Sequence, residues 1–453
     1  MKAKKYDVAI IGSGPAGMSA ALELIRLKPN FKIVILEKGP IRKQEDRKNR
    51  NLITIGWGGA GTFSDGKLCL TSKVGGCLST IIEEQELNDL VVYVDQQYLS
   101  FGGNKGSLIP LDLREAKKLR IEAFGAGFKD FVYYEVRHWG TDNAYFICEN
   151  IRQYLISKGV DIFCNTEIAE IEKTEHFLLT SKDNNEFRAD IVILAMGRSG
   201  NRQIGRIARK YGLTVKDNGV DIGLRLETSA EAFEKFTDIV QDPKLILLHA
   251  SRLEVRTFCV CPYGFVKLEA TDGVISVNGE SYSKDSGIKS PNTNFAILVH
   301  RNFTEPFNDP IEYGRMIAML ANKLGKTVLV QSLSDFLIGR RSTRGRIERS
   351  GVVPTLKEAE PGSIGSVMPY DFMMPLVAMM EALMKIAPIN PDILLMYAAE
   401  VKNYAEKVQT IGASFETEKK GLYVAGDGSG YTRGIMQASM QGILVARDIA
   451  NKI

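Results

Sequence analysis

The first forty residues constrain this chain most, because they place a strand, a glycine-rich turn, a helix and a second strand in a fixed order. Residues 6–11 predict a first strand, and residues 12–17, Gly-Ser-Gly-Pro-Ala-Gly, predict a turn that opens a helix. Residues 31–37 predict a second strand, which ends at Glu37. This order predicts a dinucleotide-binding βαβ unit. The alternative is an ordinary strand-turn-helix, which leaves Glu37 unexplained.

Each glycine of the motif has its own role in such a unit. Gly12 permits the tight turn, Gly14 lets a pyrophosphate approach the backbone, and Gly17 lets the helix pack closely against the strand. The helix N-terminus then faces the phosphates, and Glu37 is placed to accept hydrogen bonds from the adenosine ribose hydroxyls. The segment therefore indicates a nucleotide cofactor.

The size and charge of the chain limit the classes of function that it can have. With 453 residues, 44% of them apolar and 25% charged, the chain can build two or three ordinary globular domains. A net charge of +4 is close to balance, so we expect neither a nucleic acid nor an anionic membrane as the main partner. The basic runs at 42–50 and 340–349 are interpreted as solvated faces, although the second could hold a phosphate or a carboxylate.

Targeting signals and cysteines point to a cytoplasmic protein. The basic start and the apolar stretch after it superficially suggest a signal peptide, but the stretch ends at Gly12 without a small-residue cleavage site. No window approaches the ~20 apolar residues of a membrane span. The cysteines are too few and scattered for a disulfide framework, and none forms a CxxC pair. We therefore predict neither a metal site nor a thioredoxin-like redox pair.

The rest of the chain separates into two regions with different sequence patterns. Residues 143–159 predict an amphipathic helix and residues 191–194 a buried strand, which closes in the small turn Ala195-Met-Gly197. From about 215 to 410, short alternating stretches predict an antiparallel sheet with helices, and residues 390–407 predict a helical return. A strand ending in Gly426-Asp427 and a long helix over 434–453 then rejoin the first domain.

Four dispersed segments, in this order, resemble the glutathione-reductase-type FAD-binding superfamily. They are residues 12–17 with Glu37, the glycine-rich loop 56–67, the turn 195–197 and Gly426-Asp427. Within that superfamily the chain is similar to FAD-dependent dehydrogenases of largely unassigned substrate. The similar segments are GGAGTFSDGKL (58–68), HWGTD (138–142), RTFCVCPYG (256–264) and GDGSGYTRGI (426–435).

The resemblance implies an α/β fold, with a discontinuous Rossmann-like FAD-binding domain and an inserted α+β cap that contains an antiparallel sheet. We expect the FAD-binding domain at 1–75, 130–214 and 411–453. A mostly helical insertion is expected at 76–129, and the cap or substrate domain at 215–410.

The resemblance also implies which residues hold FAD. Asp427 suits a hydrogen bond to the ribityl chain, and the start of the last helix would direct its N–H groups at the flavin pyrimidine carbonyl. A simple helix cap is the alternative for that segment. Residues Thr62, Ser64 and Asp65 could bond the ring or the ribityl chain, although Ser64-Asp-Gly66 is also a common turn. The full predicted set is Gly12, Gly14, Pro15, Ala16, Gly17, Glu37, Lys38, Gly59, Ala60, Gly61, Thr62, Ser64, Asp65, Gly66, Ile168, Ala195, Gly197, Gly426, Asp427, Gly434, Ile435 and Met436.

Residues for substrate chemistry are harder to find. Strand alternation places Cys259 and Cys261 on one face; free cysteines are usually packing residues, and the alternative is that Cys261 or Tyr263 lines the flavin cavity. Tyr263 is then a candidate proton donor, and Lys67 could face the substrate. His138 is the best-placed histidine, and a structural role is the commoner one for a lone histidine.

The predicted function is that of an FAD-dependent oxidoreductase, a dehydrogenase or reductase that moves a hydride between flavin and an organic small molecule. The electron donor or acceptor is open between a visiting NAD(P)H, a redox protein such as ferredoxin or flavodoxin, and a quinone. The oligomeric state is open too. A flavin monooxygenase, a nucleic-acid-modifying flavoprotein and a non-catalytic FAD-binding protein are the alternatives.

Overall fold

The computed structural model describes residues 4–49, 52–271, 273–307 and 309–453. The chain divides into two compact units, the first from 1–107, 141–218 and 404–453, and the second from 108–140 and 219–403. The helical insertion predicted at 76–129 is thus shared between the two units. The domain boundaries given above stay a prediction.

Both units contain helices and strands. The helices are α1 (Pro15–Leu27), α2 (Glu84–Ser100), α3 (Leu113–Gly125), α4 (Ala144–Ser157), α5 (Asn201–Tyr211), α6 (Glu231–Thr237), α7 (Pro310–Gly325), α8 (Leu333–Leu337), α9 (Arg344–Ile347), α10 (Tyr370–Ile386) and α11 (Ile435–Lys452). The strands are β1 (Lys5–Ile11), β2 (Ile33–Leu36), β3 (Lys67–Cys69), β4 (Leu108–Ile109), β5 (Asp130–Val132), β6 (Val136–His138), β7 (Asp161–Phe163), β8 (Ile168–Lys173), β9 (Phe177–Ser181), β10 (Glu186–Leu194), β11 (Val215–Lys216), β12 (Val220–Ser229), β13 (Lys244–Leu248), β14 (Glu254–Cys261), β15 (Phe265–Thr271), β16 (Val274–Glu280), β17 (Asn292–Arg301), β18 (Leu329–Ser332), β19 (Glu360–Pro361), β20 (Leu395–Asn403), β21 (Lys407–Val408) and β22 (Leu422–Val424).

The first unit is built on a parallel sheet. Its parallel strands pair in the order β7, β2, β1, β10 and β22, and the antiparallel β9 and β8 extend the sheet beside the first half of β10. The apolar runs of β1 and β2 are almost entirely buried, as expected for a parallel sheet covered on both faces. Helix α11 packs on α1 so closely that a Cβ at Gly442 would lie 2.2 Å from the carbonyl oxygen of Ala16. The predicted α/β fold is confirmed.

The second unit contains a mostly antiparallel sheet. Its strands follow the order β19, β18, β20, β12, β17, β14, β13 and β5, and only β18 and β19 pair in parallel. Buried side chains of this sheet form one core with residues of α3, α6 and α10. A separate antiparallel hairpin joins β15 and β16. The antiparallel sheet predicted in this part of the chain is confirmed.

The helical return predicted at 390–407 is wrong. Residues 395–403 form β20, a central strand between β18 and β12. Its sequence, Leu-Met-Tyr-Ala-Ala-Glu-Val-Lys-Asn, is rich in residues with good helix propensity, and its first six residues are buried. A strand buried on both faces shows no polar alternation, so local preference indicates a helix and the tertiary context imposes a strand.

Within the described residues, no helix combines the length and the apolar character needed to cross a membrane.

Candidate functional site

The candidate site lies at the carboxyl edge of the parallel sheet in the first unit. Gly12 follows β1, Glu37 follows β2, Ala195 follows β10, and Gly426 comes two residues after β22. Backbone hydrogen bonds tie these strand ends together: Gly12 N–H donates to Leu36 at 2.8 Å, and Ala195 N–H donates to Ile11 at 2.8 Å. Ligands of open α/β sheets bind outside the carboxyl ends of the strands. The sheet therefore brings together residues that lie far apart in sequence.

Two of the motif glycines are required by the packing of the protein itself. Gly12 has φ +103°, and a Cβ there would lie 2.4 Å from the carbonyl oxygen of Ala195. A Cβ on Gly17 would lie 2.1 Å from the carbonyl oxygen of Gly12. Both positions exclude any larger residue, because backbone atoms occupy the space.

Gly14 and Gly434 differ from these two, because the surrounding protein does not require glycine there. Gly14 has extended backbone (φ −67°, ψ −177°), and so does Gly434 (φ 173°, ψ 169°). A Cβ at either position would meet no described heavy atom within 4 Å, and the same is true of Gly197. A cofactor that passes against the backbone explains Gly14 and Gly434, whereas the positive φ of Gly197, +57°, favours glycine by itself. FAD therefore fits the residues present at this edge.

Two further segments converge on the first turn of α1. A Cβ on Gly59 would lie 3.0 Å from Cα of Gly14, and one on Gly61 would lie 3.3 Å from Cγ of Pro15. A Cβ on Gly426 would approach Cβ of Ala16 to 2.9 Å. The glycine-rich loop and the end of β22 thus lie against the helix N-terminus, where the predicted pyrophosphate site is.

The polar side chains of the glycine-rich loop bond mainly within the loop. The Thr62 hydroxyl donates to the Trp57 carbonyl at 2.6 Å. The Ser64 hydroxyl donates to Gly61 at 2.9 Å and accepts from Gly66 N–H at 3.1 Å, which is the geometry of a local turn. Ala60 is exposed. These contacts are those of the turn alternative, so a role of Thr62 or Ser64 toward flavin stays a prediction.

Lys67 and Asp65 form an ion pair in the same loop. The Lys67 Nζ lies 2.8 Å from an Asp65 carboxylate oxygen, and the two side chains are only 6% and 11% exposed. A lysine held this way is positioned rather than mobile.

Glu37 is buried, and its carboxylate already accepts four hydrogen bonds from the protein. One oxygen accepts from the Ser13 N–H at 3.0 Å and the Ser13 hydroxyl at 2.8 Å. The other accepts from the N–H groups of Gly39 and Gly56, each at 3.0 Å. Glu37 therefore fixes the turn and the loop relative to each other, and a bond to ribose would have to share these acceptors.

Arg42 is a residue that the sequence analysis missed, because it belongs to a run interpreted as a solvated face. It is 2% exposed; its Nε donates to the Ile55 carbonyl at 2.8 Å, and its guanidinium lies 5.0 Å from the centre of the Phe63 ring. Burial lowers the pKa of Arg42 to about 10, although attraction to Glu37 opposes the change. Its two terminal nitrogens have no hydrogen-bond partner among the described residues. Only burial distinguishes Arg42 from its neighbours, and burial cannot be read from a basic run.

Asp427 and the start of α11 lie together. The Thr432 hydroxyl donates to the Asp427 carboxylate at 2.9 Å, and the Gly434 N–H also bonds it. Burial raises the pKa of Asp427, while Arg198 and these hydrogen bonds oppose the rise. Helix α11 then begins at Ile435, followed by the buried Met436.

Two other predicted cofactor residues already bond within the first unit. Lys38 donates to the Ser199 carbonyl at 3.0 Å, and the Ile168 carbonyl accepts from the Gln203 side-chain amide.

The remaining predicted residues belong to the second unit. Cys261 is fully buried at the end of β14, and the Tyr263 hydroxyl donates to the Glu234 carboxylate. His138 is buried, with its Nε2 3.1 Å from the Ser281 hydroxyl, which agrees with a structural role.

Comparison with known proteins also relates this chain to FAD-dependent enzymes. Residues 7–218 match the family described as FAD dependent oxidoreductase. An uncharacterized protein of Clostridium beijerinckii is 26% identical over 99% of this chain and 81% of its own length.

Solved structures of flavoenzymes align at low similarity. A glycine oxidase of Geobacillus kaustophilus is 15% identical with a TM-score of 0.42, covering 99% of this chain and 95% of its own. An L-proline dehydrogenase of P. horikoshii is 14% identical with a TM-score of 0.44, covering 98% and 93%. These scores are too low to transfer a substrate. The family match instead agrees with the glycine-lined strand ends, and the protein is an FAD-dependent oxidoreductase whose residues 7–218 match the FAD dependent oxidoreductase family.

Proposed function

We propose that FAD lies along the carboxyl edge of the parallel sheet, and that the enzyme moves a hydride between this flavin and an organic small molecule. Gly14 and the N-terminus of α1 would hold the pyrophosphate, and Gly434 with the N-terminus of α11 would hold the flavin ring. The observation that carries the proposal is Gly14, because extended backbone in open space gives the protein no reason of its own for glycine.

Bound FAD supplies the two-electron chemistry, and the chain's own residues supply position and electrostatics. The N–H groups that open α11 would stabilise negative charge on the flavin pyrimidine, since they lie at the positive end of an 18-residue helix. Asp427, fixed by Thr432, would hold the ribityl chain. Lys67, Cys261 and Tyr263 are the candidates for contact with the substrate.

The electron partner we favour testing first is a visiting NAD(P)H, with a redox protein as the alternative. The single dinucleotide motif supports a transient visit rather than a second bound nucleotide. We also propose a cytoplasmic location, because none of the six cysteines, all within the described residues, forms a disulfide, which agrees with a reducing compartment.

The experiment is an anaerobic titration of the purified protein with NADH and then NADPH, following the oxidised flavin absorption band. Bleaching within the mixing time would identify a nicotinamide-linked reductase. A flavin that stays oxidised would indicate a substrate-oxidising dehydrogenase or a protein electron carrier. Protein that neither contains flavin nor takes up added FAD would contradict the proposal.

A further inference from the structure

Two cysteines of the second unit lie closer together than their strand should allow. Cys259 and Cys261 both belong to β14, and their Sγ atoms are 3.9 Å apart. Residues two apart in a regular strand are separated by about 6.6 Å along its axis. Alternation predicts a shared face, but it does not predict this proximity.

A β-bulge produces the short distance. Strand β14 pairs with β17 through Phe258 opposite Ala296 and then Cys261 opposite Asn294, so β14 contains one extra residue. Cys259 occupies that bulge with φ +47°, a left-handed conformation that is uncommon outside glycine. The bulge turns the Cys259 side chain toward Cys261.

Buried polar groups fix the bulge from two sides. The Val260 N–H donates to the Asp242 carboxylate at 2.9 Å, and the Arg225 guanidinium donates to the Cys259 carbonyl at 3.0 Å. Behind Cys261, a Cβ on Gly264 would lie 2.7 Å from the Cys261 Cβ, so only glycine allows this approach. The strained conformation is thus held by its surroundings, as is common at functional sites.

A buried guanidinium lies beside the bulge. Arg225 is fully buried, and burial disfavours its charge, but attraction to Glu400 and then to Cys259 and Cys261 raises its pKa above the ordinary value. The same attraction stabilises negative charge on either sulfur. Cys259 is partly exposed and Cys261 is buried, so the two thiols differ in access.

We propose that Cys259 and Cys261 form a reversible dithiol–disulfide redox site, which takes a low-molecular-weight disulfide as its oxidant. The Cys259 thiolate attacks one sulfur of that disulfide, forms a mixed disulfide and releases one thiolate. The Cys261 thiolate then attacks the Cys259 sulfur, releases the second thiolate and closes the Cys259–Cys261 bond. Two electrons pass to the small disulfide, and the two protons of the cysteines are released. The site does not depend on flavin binding.

The test uses glutathione disulfide as the probe on the 453-residue chain, followed by acid quenching, alkylation in denaturant and tryptic mapping. Both cysteines fall in one tryptic peptide, residues 257–267, which contains no other cysteine. We expect this peptide to lose both alkylatable thiols and two hydrogen atoms in mass, and to recover both thiols with dithiothreitol. Recovery of two alkylated thiols at every glutathione disulfide concentration would overturn the proposal.

Single variants separate the two roles. Cys261→Ser should trap one glutathione on Cys259, because the resolving thiol is missing. Cys259→Ser should leave Cys261 alkylatable after quenching, because Cys261 is buried. Cys164→Ser, which changes a partly exposed thiol of the first unit, is the control. In this variant, glutathione disulfide should oxidise peptide 257–267 as it does in the unsubstituted protein. Stable glutathione on both Cys259 and Cys261 of the unsubstituted protein would also overturn the site.

A flavin-free variant distinguishes this proposal from the proposed function. Gly14→Val should still close the disulfide, whatever it does to FAD.

Discussion

The candidate site of the first unit and the sheet of the second unit are built differently. In the first unit, the site is an edge where parallel strands end, lined by backbone and by glycines such as Gly14 that leave open space. In the second unit, charged side chains lie inside the sheet: Arg225 and Glu400 are both unexposed and 2.8 Å apart, and Lys402 lies 3.1 Å from Glu400 and 3.4 Å from Glu269.

The difference teaches which features serve a ligand and which serve the fold. Removing one member of a buried ion pair costs stability, even if the pair binds nothing. A glycine with ordinary backbone and no neighbours can be changed freely unless a ligand passes there. Substitutions at the two kinds of position should therefore separate stability from cofactor binding.

The largest effect is expected for Gly17→Val. The new side chain would start 2.1 Å from the carbonyl oxygen of Gly12, so α1 could not pack on β1. Because the overlap is with backbone, we expect a loss above the usual ~1–3 kcal/mol of overpacking, more than about 5 kcal/mol, which matches the whole stability of many proteins and should prevent recovery of folded protein. Circular dichroism and urea unfolding of the flavin-free protein measure this, with Gly14→Val as the matched motif variant. A folded Gly17→Val protein would break the distinction between the two kinds of glycine.

Next comes Arg225→Met in the second unit. Removing Arg225 leaves Lys402 as the remaining cation beside the buried Glu400 and takes a donor from the Cys259 carbonyl, and we expect a loss of about 3 kcal/mol in urea unfolding, the lower end of the range for a broken buried pair. The double variant Arg225→Met with Glu400→Met should lose less than Arg225→Met alone, because it removes both charges. A double variant that loses the sum of the two single effects would show that the pair is not coupled.

Glu37→Gln should have a smaller effect, of about 1–3 kcal/mol on the flavin-free protein. The NH₂ group of the new amide is a donor, and it would face two donors from which the carboxylate now accepts hydrogen bonds. These are either the N–H and hydroxyl of Ser13 or the N–H groups of Gly39 and Gly56. Thermal unfolding without FAD measures it. An unchanged flavin-free protein with weakened FAD binding would mean that Glu37 serves the ribose alone.

The smallest expected effect is on the pH dependence of stability, and it comes from Glu227. Burial raises the pKa of Glu227, and hydrogen bonds from Thr355, Tyr397 and Asn292 only partly oppose the rise. Between the ordinary glutamate pKa, about 4.3, and the raised value, the folded state holds a proton that the unfolded state has lost. Stability relative to Glu227→Gln should therefore fall as pH rises through this window. A difference that grows with pH would contradict the raised pKa.

Sequence patterns predicted the first unit better than the second, for a physical reason. The turn around Gly14 and the strand ends at Ala195 and Gly426 are local, so glycine spacing and flanking apolar runs are enough to identify them. The network around Arg225 joins side chains from separate strands, and no local pattern records such pairings. Strand β20 was missed on the same ground, because its helix-forming residues become a strand only between β12 and β18.

The sequence also did not reveal which side chains already have hydrogen-bond partners within the protein. Spacing indicated that Glu37 lies near a cofactor, and the family resemblance implied the same for Ser64. Neither could show that both side chains already bond within the protein. The buried Arg42 and the bulge at Cys259 also depend on tertiary packing rather than on residue type.

The most direct measurement is a calorimetric titration of the flavin-free protein with FAD, comparing wild type, Gly14→Val and Gly125→Val. Gly125, the last residue of α3, is exposed and also has no neighbour for a Cβ, so it controls for the substitution itself. We predict equal thermal stability for all three proteins without FAD, equal affinity for wild type and Gly125→Val, and at least about a hundredfold weaker binding for Gly14→Val, a loss of about 2.7 kcal/mol. Wild-type affinity in Gly14→Val would contradict the placement of FAD along this edge.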